Sequence, residues 1–285
     1  MTPPAVRLPA RPAAGHKGTF GHVLAVAGSR GMTGAAILCG SAAVRGGAGL
    51  VTVACPADVQ AVVAAGNPCY LTHGLPTESA GEYHPEAESV LAGLAAKADA
   101  VAVGPGLGSR PDVVRLVQSL LAAVGPKKVV VDADALTAVG AGRRAGQGDW
   151  VLTPHPGEFG RLLGVSAAAV QADRERLAVK YAAAHNVVVL LKGQGTVVTD
   201  GKRTSVNPTG NPGMGTGGVG DVLTGVIAAL LAQGLSGFDA AVLGAWVHGR
   251  AGDLAADELS QTALTATDVL GYLPRAFREV EAAGP

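Results

Sequence analysis

HVLAVAGSRGMTGAAILCGSAAVRGGAGLVTVAC, residues 22–55, decides the fold. His22 to Ala27 is a short, almost wholly apolar run, the pattern of a strand covered on both faces. The turn Gly28-Ser29-Arg30-Gly31 ends it. Gly34 to Arg45 follows as a helix of small residues, and Leu50 to Cys55 is a second strand. Strand, helix and strand in this order make a βαβ unit, which sets two strands parallel and covers one face of the pair.

The alternation persists toward the C-terminus. Helices are predicted over Ala57 to Ala65, Glu86 to Lys97, Pro111 to Ala123 and Ser166 to Ala184. Strands are predicted over Asp99 to Val103, Lys128 to Asp132, Trp150 to Thr153 and Asn186 to Lys192. Gly195 to Asp200 and Arg203 to Val206 read as strands around a turn at Asp200-Gly201. Helices are then expected from Asp221 to about Gln233, over 237–256 and over 265–281, while residues 67–85 carry only a weak pattern. The whole predicts an α/β domain with a mostly parallel sheet and helices on both faces.

Composition fits that picture. Of 285 residues 48% are hydrophobic and 15% charged, which fills a large core and excludes a disordered chain. Lys+Arg and Asp+Glu both number 22, so no basic excess points to nucleic acid. The three cysteines, Cys39, Cys55 and Cys69, form no C-x-x-C pair and read as core thiols of a reducing compartment. No apolar run reaches the roughly 20 residues of a membrane span, so no membrane is expected as a partner. Residues 1–14, with Pro3, Pro4, Pro9 and Pro12, lack the apolar centre of a signal peptide. They are expected to be a flexible arm ahead of a single domain, residues 15–285, in a cytoplasmic protein.

Ligands of open parallel sheets bind beyond the carboxyl ends of the strands. The segments found there are Gly28 to Gly31, Gly104 to Gly108, Asp132-Ala133-Asp134, Thr153 to Glu158 and Lys192 to Thr196. Asp132 and Asp134 also suit a helix cap, and Lys192 a solvated strand end. The sharpest signal is Asn207 to Asp221, in which six of the twelve residues from Gly210 to Asp221 are glycine. It runs into a helix whose apolar face is Val222, Leu223, Val226, Ile227, Leu230 and Leu231. A glycine turn opening a helix offers backbone amides to an anion, and glycine lets a phosphate come close. Asp221 would not bind phosphate itself. It could take the proton of a hydroxyl that attacks phosphorus. There is no G-x-x-x-x-G-K-[ST] loop, and Gly104-x-Gly106-x-Gly108 has the wrong spacing for a dinucleotide fingerprint.

NPTGNPGMGTGGVGDVLTGVIAALLAQG (207–234) resembles the signature of the ADP/ATP-dependent NAD(P)H-hydrate dehydratases. HKGTFGHVLAVAGSRGMTGAAILCGSAAVRGGAGLVTVACP (16–56), VAVGPGLG (101–108), VLTPHPGEFGRLLG (151–164) and KGQGTVVTDG (192–201) follow the same family in order. Gly215 departs from the alanine more often found at that place. The resemblance spans roughly residues 15–275. It implies a ribokinase-like three-layer αβα sandwich without a lid domain. It implies a hydro-lyase that restores NADH and NADPH from their C6-hydrated forms, converting ADP, or ATP in some members, with Mg2+. By position it makes Asp221 catalytic and places Ala43, Gly106, His155 and Asp221 at the hydrate. It places Lys192, Gly193, Gln194, Gly195, Thr196, Gly217, Gly218 and Gly220 at the nucleotide. Metal ligands stay unassigned. A homo-oligomer, tetrameric in the extreme, is expected, as is a separate NAD(P)H-hydrate epimerase for which 285 residues leave no room. The competing readings are a ribokinase-like kinase of a thiazole or pyrimidine alcohol and a non-catalytic adenine-nucleotide sensor.

Overall fold

The computed structural model describes residues 2–78, 81–139 and 149–283. The chain begins with β1 (His22–Val26), α1 (Thr33–Arg45), β2 (Leu50–Pro56), α2 (Gln60–Ala65) and β3 (Leu71–Leu75). It continues with α3 (Glu86–Lys97), β4 (Ala100–Val103), α4 (Pro111–Ala123), β5 (Lys128–Val131), α5 (Asp134–Val139) and β6 (Trp150–Leu152). Next are α6 (Pro156–Leu163), α7 (Ala167–Ala172), α8 (Arg174–His185), β7 (Val188–Leu191), β8 (Val197–Thr199) and β9 (Thr204–Val206). Three helices finish the chain: α9 (Val219–Ala232), α10 (Gly237–Leu259) and α11 (Ala266–Ala282).

These strands form one nine-stranded sheet in the order β3-β2-β1-β4-β5-β6-β7-β8-β9. Pairing is parallel from β3 through β7 and antiparallel for β7-β8 and β8-β9. Alternate residues of each strand serve opposite layers. Val23, Ala25, Val51, Val53, Ala102 and Val130 pack with helices α1, α9, α10 and α11. Leu24, Val26, Val101, Val103, Val129 and Val131 pack with α3, α4, α6 and α8. The three layers expected from the resemblance are therefore present. The chain leaves β1 first toward β2 and β3, then crosses to β4. That reversal opens a crevice at the carboxyl ends of β1 and β4.

Four expectations change. Residues 67–85 contain β3, an edge strand whose Leu71 is exposed and whose alternation is therefore blurred. The helix expected over Ser166 to Ala184 is two helices. Asp173, at φ −151° and ψ 49°, breaks it between α7 and α8. Of the cysteines, Cys39 and Cys55 are buried but Cys69 is exposed. Residues 2–14, expected as an arm, run along the domain. Val6 and Leu8 pack against the core, and the Arg11 guanidinium donates to the Gly47 carbonyl at 2.5 Å and to Gln233 Oε1 at 3.0 Å. No described helix is long and apolar enough to cross a membrane.

Helix α9 is buried almost all round, since the sheet, α1, α10 and α11 enclose it. Its approach to α1 depends on Gly225. A Cβ at that position would stand 2.1 Å from the Cys39 carbonyl oxygen and 2.8 Å from the Ala42 methyl. Gly225→Ala is expected to lower stability by about 2 kcal/mol through overpacking. Gly93→Ala, at an exposed position of α3 where a Cβ meets nothing within 4 Å, should raise it by about 1 kcal/mol. Urea unfolding of both variants checks the contrast, and equal effects would refute the tight α1–α9 seam.

Candidate active site

The crevice is walled by loops that bond to one another. Gly28 N–H donates to the Pro105 carbonyl at 2.8 Å, and Ser29 Oγ to the Gly106 carbonyl at 2.8 Å. Gly106 lies against the start of α1, where a Cβ would meet the Ala35 methyl at 2.7 Å and the Met32 carbonyl at 3.0 Å. Beyond β5 the chain turns sharply at Ala133, which has φ 46°. A non-glycine residue in this region stores strain, and here the turn sends its two flanking carboxylates to different places. Asp134 Oδ2 accepts from Gly108 N–H at 2.8 Å. Asp132 goes inward and is 1% exposed.

Asp132 is the centre of the polar network. Its Oδ1 accepts from Lys192 Nζ at 2.8 Å and its Oδ2 from Thr224 Oγ1 at 2.7 Å. Burial opposes its charge, but the Lys192 ammonium and the hydrogen bonds from Lys192, Thr224 and Thr153 hold its pKa below the usual carboxylate range. Burial likewise opposes the Lys192 charge, yet Asp132 and Glu158 raise its pKa above the ordinary value. Asp132 is thus no helix cap, and Lys192 no solvated strand end. Glu158 Oε2 lies 3.8 Å from Lys192 Nζ and accepts from His155 N–H at 2.7 Å. His155 caps α6. Its Nδ1 accepts from the amides of Gly157 and Glu158, which places the neutral ring's proton on Nε2, 3.5 Å from Glu158 Oε1.

Helix α9 opens directly over this network. Gly218, at φ +88°, is its N-cap, and Gly220 and Asp221 lie in the first turn. A Cβ at Gly220 would stand 3.5 Å from Lys192 Nζ and 3.9 Å from Asp132 Oδ2, which puts the helix start directly against this ion pair. The first amides of a helix lack partners within it and suit an anion. The turn Lys192 to Thr196 supplies the neighbouring wall. Arg174 braces it by donating to the carbonyls of Leu191, Lys192 and Gly195. Asn207 N–H donates to the Thr196 carbonyl at 2.9 Å, tying that turn to the glycine-rich segment.

Burial, then the charge of Asp132, push the Asp221 carboxyl up to about 7, against the opposing effect of Lys192. Such a group exchanges a proton near neutrality. Among the described residues no three His, Cys, Asp or Glu side chains converge as a metal cage. Magnesium needs no such cage, because it binds through one or two carboxylates, waters and substrate phosphates. Asp132 and Glu158 are buried and already engaged by Lys192, Thr224 and His155, so they do not fit this role, and the ion would be left to the phosphates and water.

Most of the expected residues meet here. Asp221, Gly220, Gly218 and Lys192 share the helix opening, His155 joins through Glu158, and Gly106 lies across the crevice. Ala43 does not. It is fully buried in the α1–α9 seam, its amide 2.9 Å from where a Gly225 Cβ would stand. Ala35, partly exposed beside Gly106, is the alanine of α1 that faces the crevice. Thr224 and Glu158 were not assigned from the sequence, although Glu158 stands in the HPGE segment.

A carboxyl with a raised folded-state pKa holds its proton more tightly in the folded chain. Stability therefore falls as pH rises from 3.8 through about 7. Asp221→Asn removes that slope. The variant should match the parent near pH 4 and exceed it by up to about 4 kcal/mol at pH 8. Urea unfolding at both pH values measures this, and parallel pH profiles would refute a desolvated Asp221.

The family model described as NAD(P)H-hydrate dehydratase matches residues 23–275. A bifunctional NAD(P)H-hydrate repair enzyme of Moorella thermoacetica is 49% identical over 280 residues, covering 96% of this chain and 52% of the relative. The chain thus spans about half the length of the curated relatives it matches. An ADP/ATP-dependent NAD(P)H-hydrate dehydratase from Bacillus subtilis, co-crystallised with ATP and Mg2+, superposes with a TM-score of 0.82. It is 32% identical, with 96% of this chain and 95% of that one covered. A hydroxyethylthiazole kinase from Pyrococcus horikoshii, at 18% identity and a TM-score of 0.63, shares the fold. From its motifs, its three layers and these matches together, the chain belongs to the NAD(P)H-hydrate dehydratase family.

Proposed function

We propose that this chain dehydrates C6-hydrated NADH and NADPH with ADP as the phosphoryl donor, releasing AMP and phosphate. The observation that carries this reading is Asp221. It is a carboxyl pushed up to about 7, set in the first turn of a glycine-opened helix beside a partly buried lysine. That combination suits a hydroxyl attacking phosphorus, because one end needs a base and the other needs amides and positive charge.

Asp221 accepts the proton of the C6 hydroxyl as its oxygen bonds to the terminal phosphorus of ADP and the bond to AMP breaks. The amides of Gly217 to Gly220 and the Lys192 ammonium stabilise charge on the transferring oxygens. The turn Lys192, Gly193, Gln194, Gly195 and Thr196 receives the rest of the nucleotide. Phosphate is a far better leaving group than hydroxide. The ring nitrogen's lone pair expels it from C6, C5 loses a proton, and the dihydronicotinamide returns. His155 and Gly106 border the hydrate, with Ala35 in the place expected for Ala43. Mg2+, held chiefly by the phosphates and water, would supply charge neutralisation. The co-crystallisation of the Bacillus subtilis relative with ATP and Mg2+ supports both the nucleotide and the ion. The same reading gives a cytoplasmic homo-oligomer served by an NAD(P)H-hydrate epimerase.

Fresh NADH hydrate, Mg2+ and ADP or ATP are mixed with the protein, and the NADH absorbance is followed alongside phosphate release. Recovery that needs nucleotide is expected. ADP loss with a stable phosphorylated product and no NADH would replace this reading with an alcohol kinase. Asp221→Asn should lower kcat by about 10²–10⁴-fold while ADP still binds. In the parent, kcat/KM should rise with pH and level off above about 7, as Asp221 loses its proton. A variant that turns over normally would remove Asp221 from the role of base.

A further inference from the structure

The glycine-rich segment between β9 and α9 has few apolar side chains to fix it, and each glycine widens its conformational freedom. One face of α10 nevertheless meets it along its length. Asn207 Nδ2 donates to the Ala245 carbonyl at 3.2 Å, and Thr209 Oγ1 to the Trp246 carbonyl at 3.0 Å. Gly249 and Gly252 leave the space that Thr209 and Met214 fill. A Cβ on either would stand 2.3 Å from Thr209 Oγ1 or Met214 Sδ.

Two side chains of α10 do more than leave room. Asp253 engages the segment with both carboxylate oxygens. Oδ2 accepts from Gly210 N–H at 3.0 Å, and Oδ1 from Asn211 Nδ2 at 3.0 Å. Asn211 passes the restraint on, because its Oδ1 accepts from Gly213 N–H at 3.0 Å and caps the short turn Pro212–Met214. The neighbouring cation of α10, Arg250, pairs with Glu279 instead. At the other end of the segment His248 Nε2 lies 2.9 Å from the Val219 carbonyl. Burial drives this imidazole down to about 4, so it stays neutral with Nε2 as the donor.

We propose that α10 is a fixed clamp on the glycine-rich segment, with Asp253 and His248 as positioning residues that hold its amides, and the start of α9, in the nucleotide-receiving arrangement before nucleotide arrives. The proposal rests on the functional reading above for its consequence, though not for its geometry. A segment ordered in advance avoids the entropy of ordering on binding and presents donors already aimed.

The test exchanges the two partners. In Asp253→Asn the new amide group faces another donor, so one bond is lost. In Asn211→Asp two carboxylates face each other. In the double variant the amide at 253 donates to the carboxylate at 211 and still accepts from Gly210, while position 211 still accepts from Gly213. Each single variant should show faster amide hydrogen exchange over 207–217 without nucleotide, and about tenfold weaker ADP binding by calorimetry. The ADP KM should rise more than kcat falls, and the double variant should recover most of both. Exchange and ADP binding unchanged in Asp253→Asn would overturn the clamp. So would a folded double variant no better than its parents. A parent protein that binds ADP but restores no NADH would instead sink the functional reading, leaving the exchange and binding comparison intact.

Discussion

An ammonium held 2.8 Å from a fully buried carboxylate sets the geometry of this molecule's working edge. Asp132 ends β5 and Lys192 ends β7, so their bond spans β6 and fixes the spacing of three strand ends. The Asp132 charge would not persist alone, because a buried ion without a partner costs several kcal/mol. Thr224 completes the arrangement from above by donating to Asp132. The start of α9 is thereby tied to the strand ends over which it stands. The strained turn at Ala133, the brace at Arg174 and the cap at His155 all serve the same alignment.

The pair also shapes what Asp221 can do. Burial of the side chain, then the negative charge of Asp132, makes the ionised Asp221 costly, while Lys192 limits that cost. A carboxyl in ordinary water would be a weaker base at neutral pH, and one buried without Lys192 would hold its proton too firmly. The stability forgone by burying Asp221 is therefore the counterpart of its proposed chemistry.

Much of this was legible beforehand. Apolar runs with both faces covered announce themselves in β1, β4, β5 and β7, and the glycine-rich segment marks the start of α9. Sheet-edge strand β3 escaped because its Leu71 faces solvent and its alternation is imperfect. The break at Asp173 escaped because apolar spacing continues across α7 and α8. Within the site, Asp221 was legible from the glycines before it, while the partners of Asp132 were not. Asp132, Lys192 and Thr224 are far apart in sequence, and only the strand order brings them together. Ala43 and Ala35 illustrate the limit within one helix. Both are small residues of α1, and only the placement of Gly225 and Gly106 distinguishes the buried seam from the crevice.

The sheet order carries a consequence for the growing polypeptide. Strands β1, β4 and β5 lie in the middle of the sheet, yet the helix that covers one of their faces, α9, follows the edge strand β9. A ribosome must complete all nine strands before that cover is made. Until then α1 alone stands over Val23 and Ala25, and Ala102 and Val130 lack the cover of α9, leaving the kind of apolar surface on which partly made chains associate. The stretch of synthesis between β5 and α9 is thus the interval in which this fold is most open to such association.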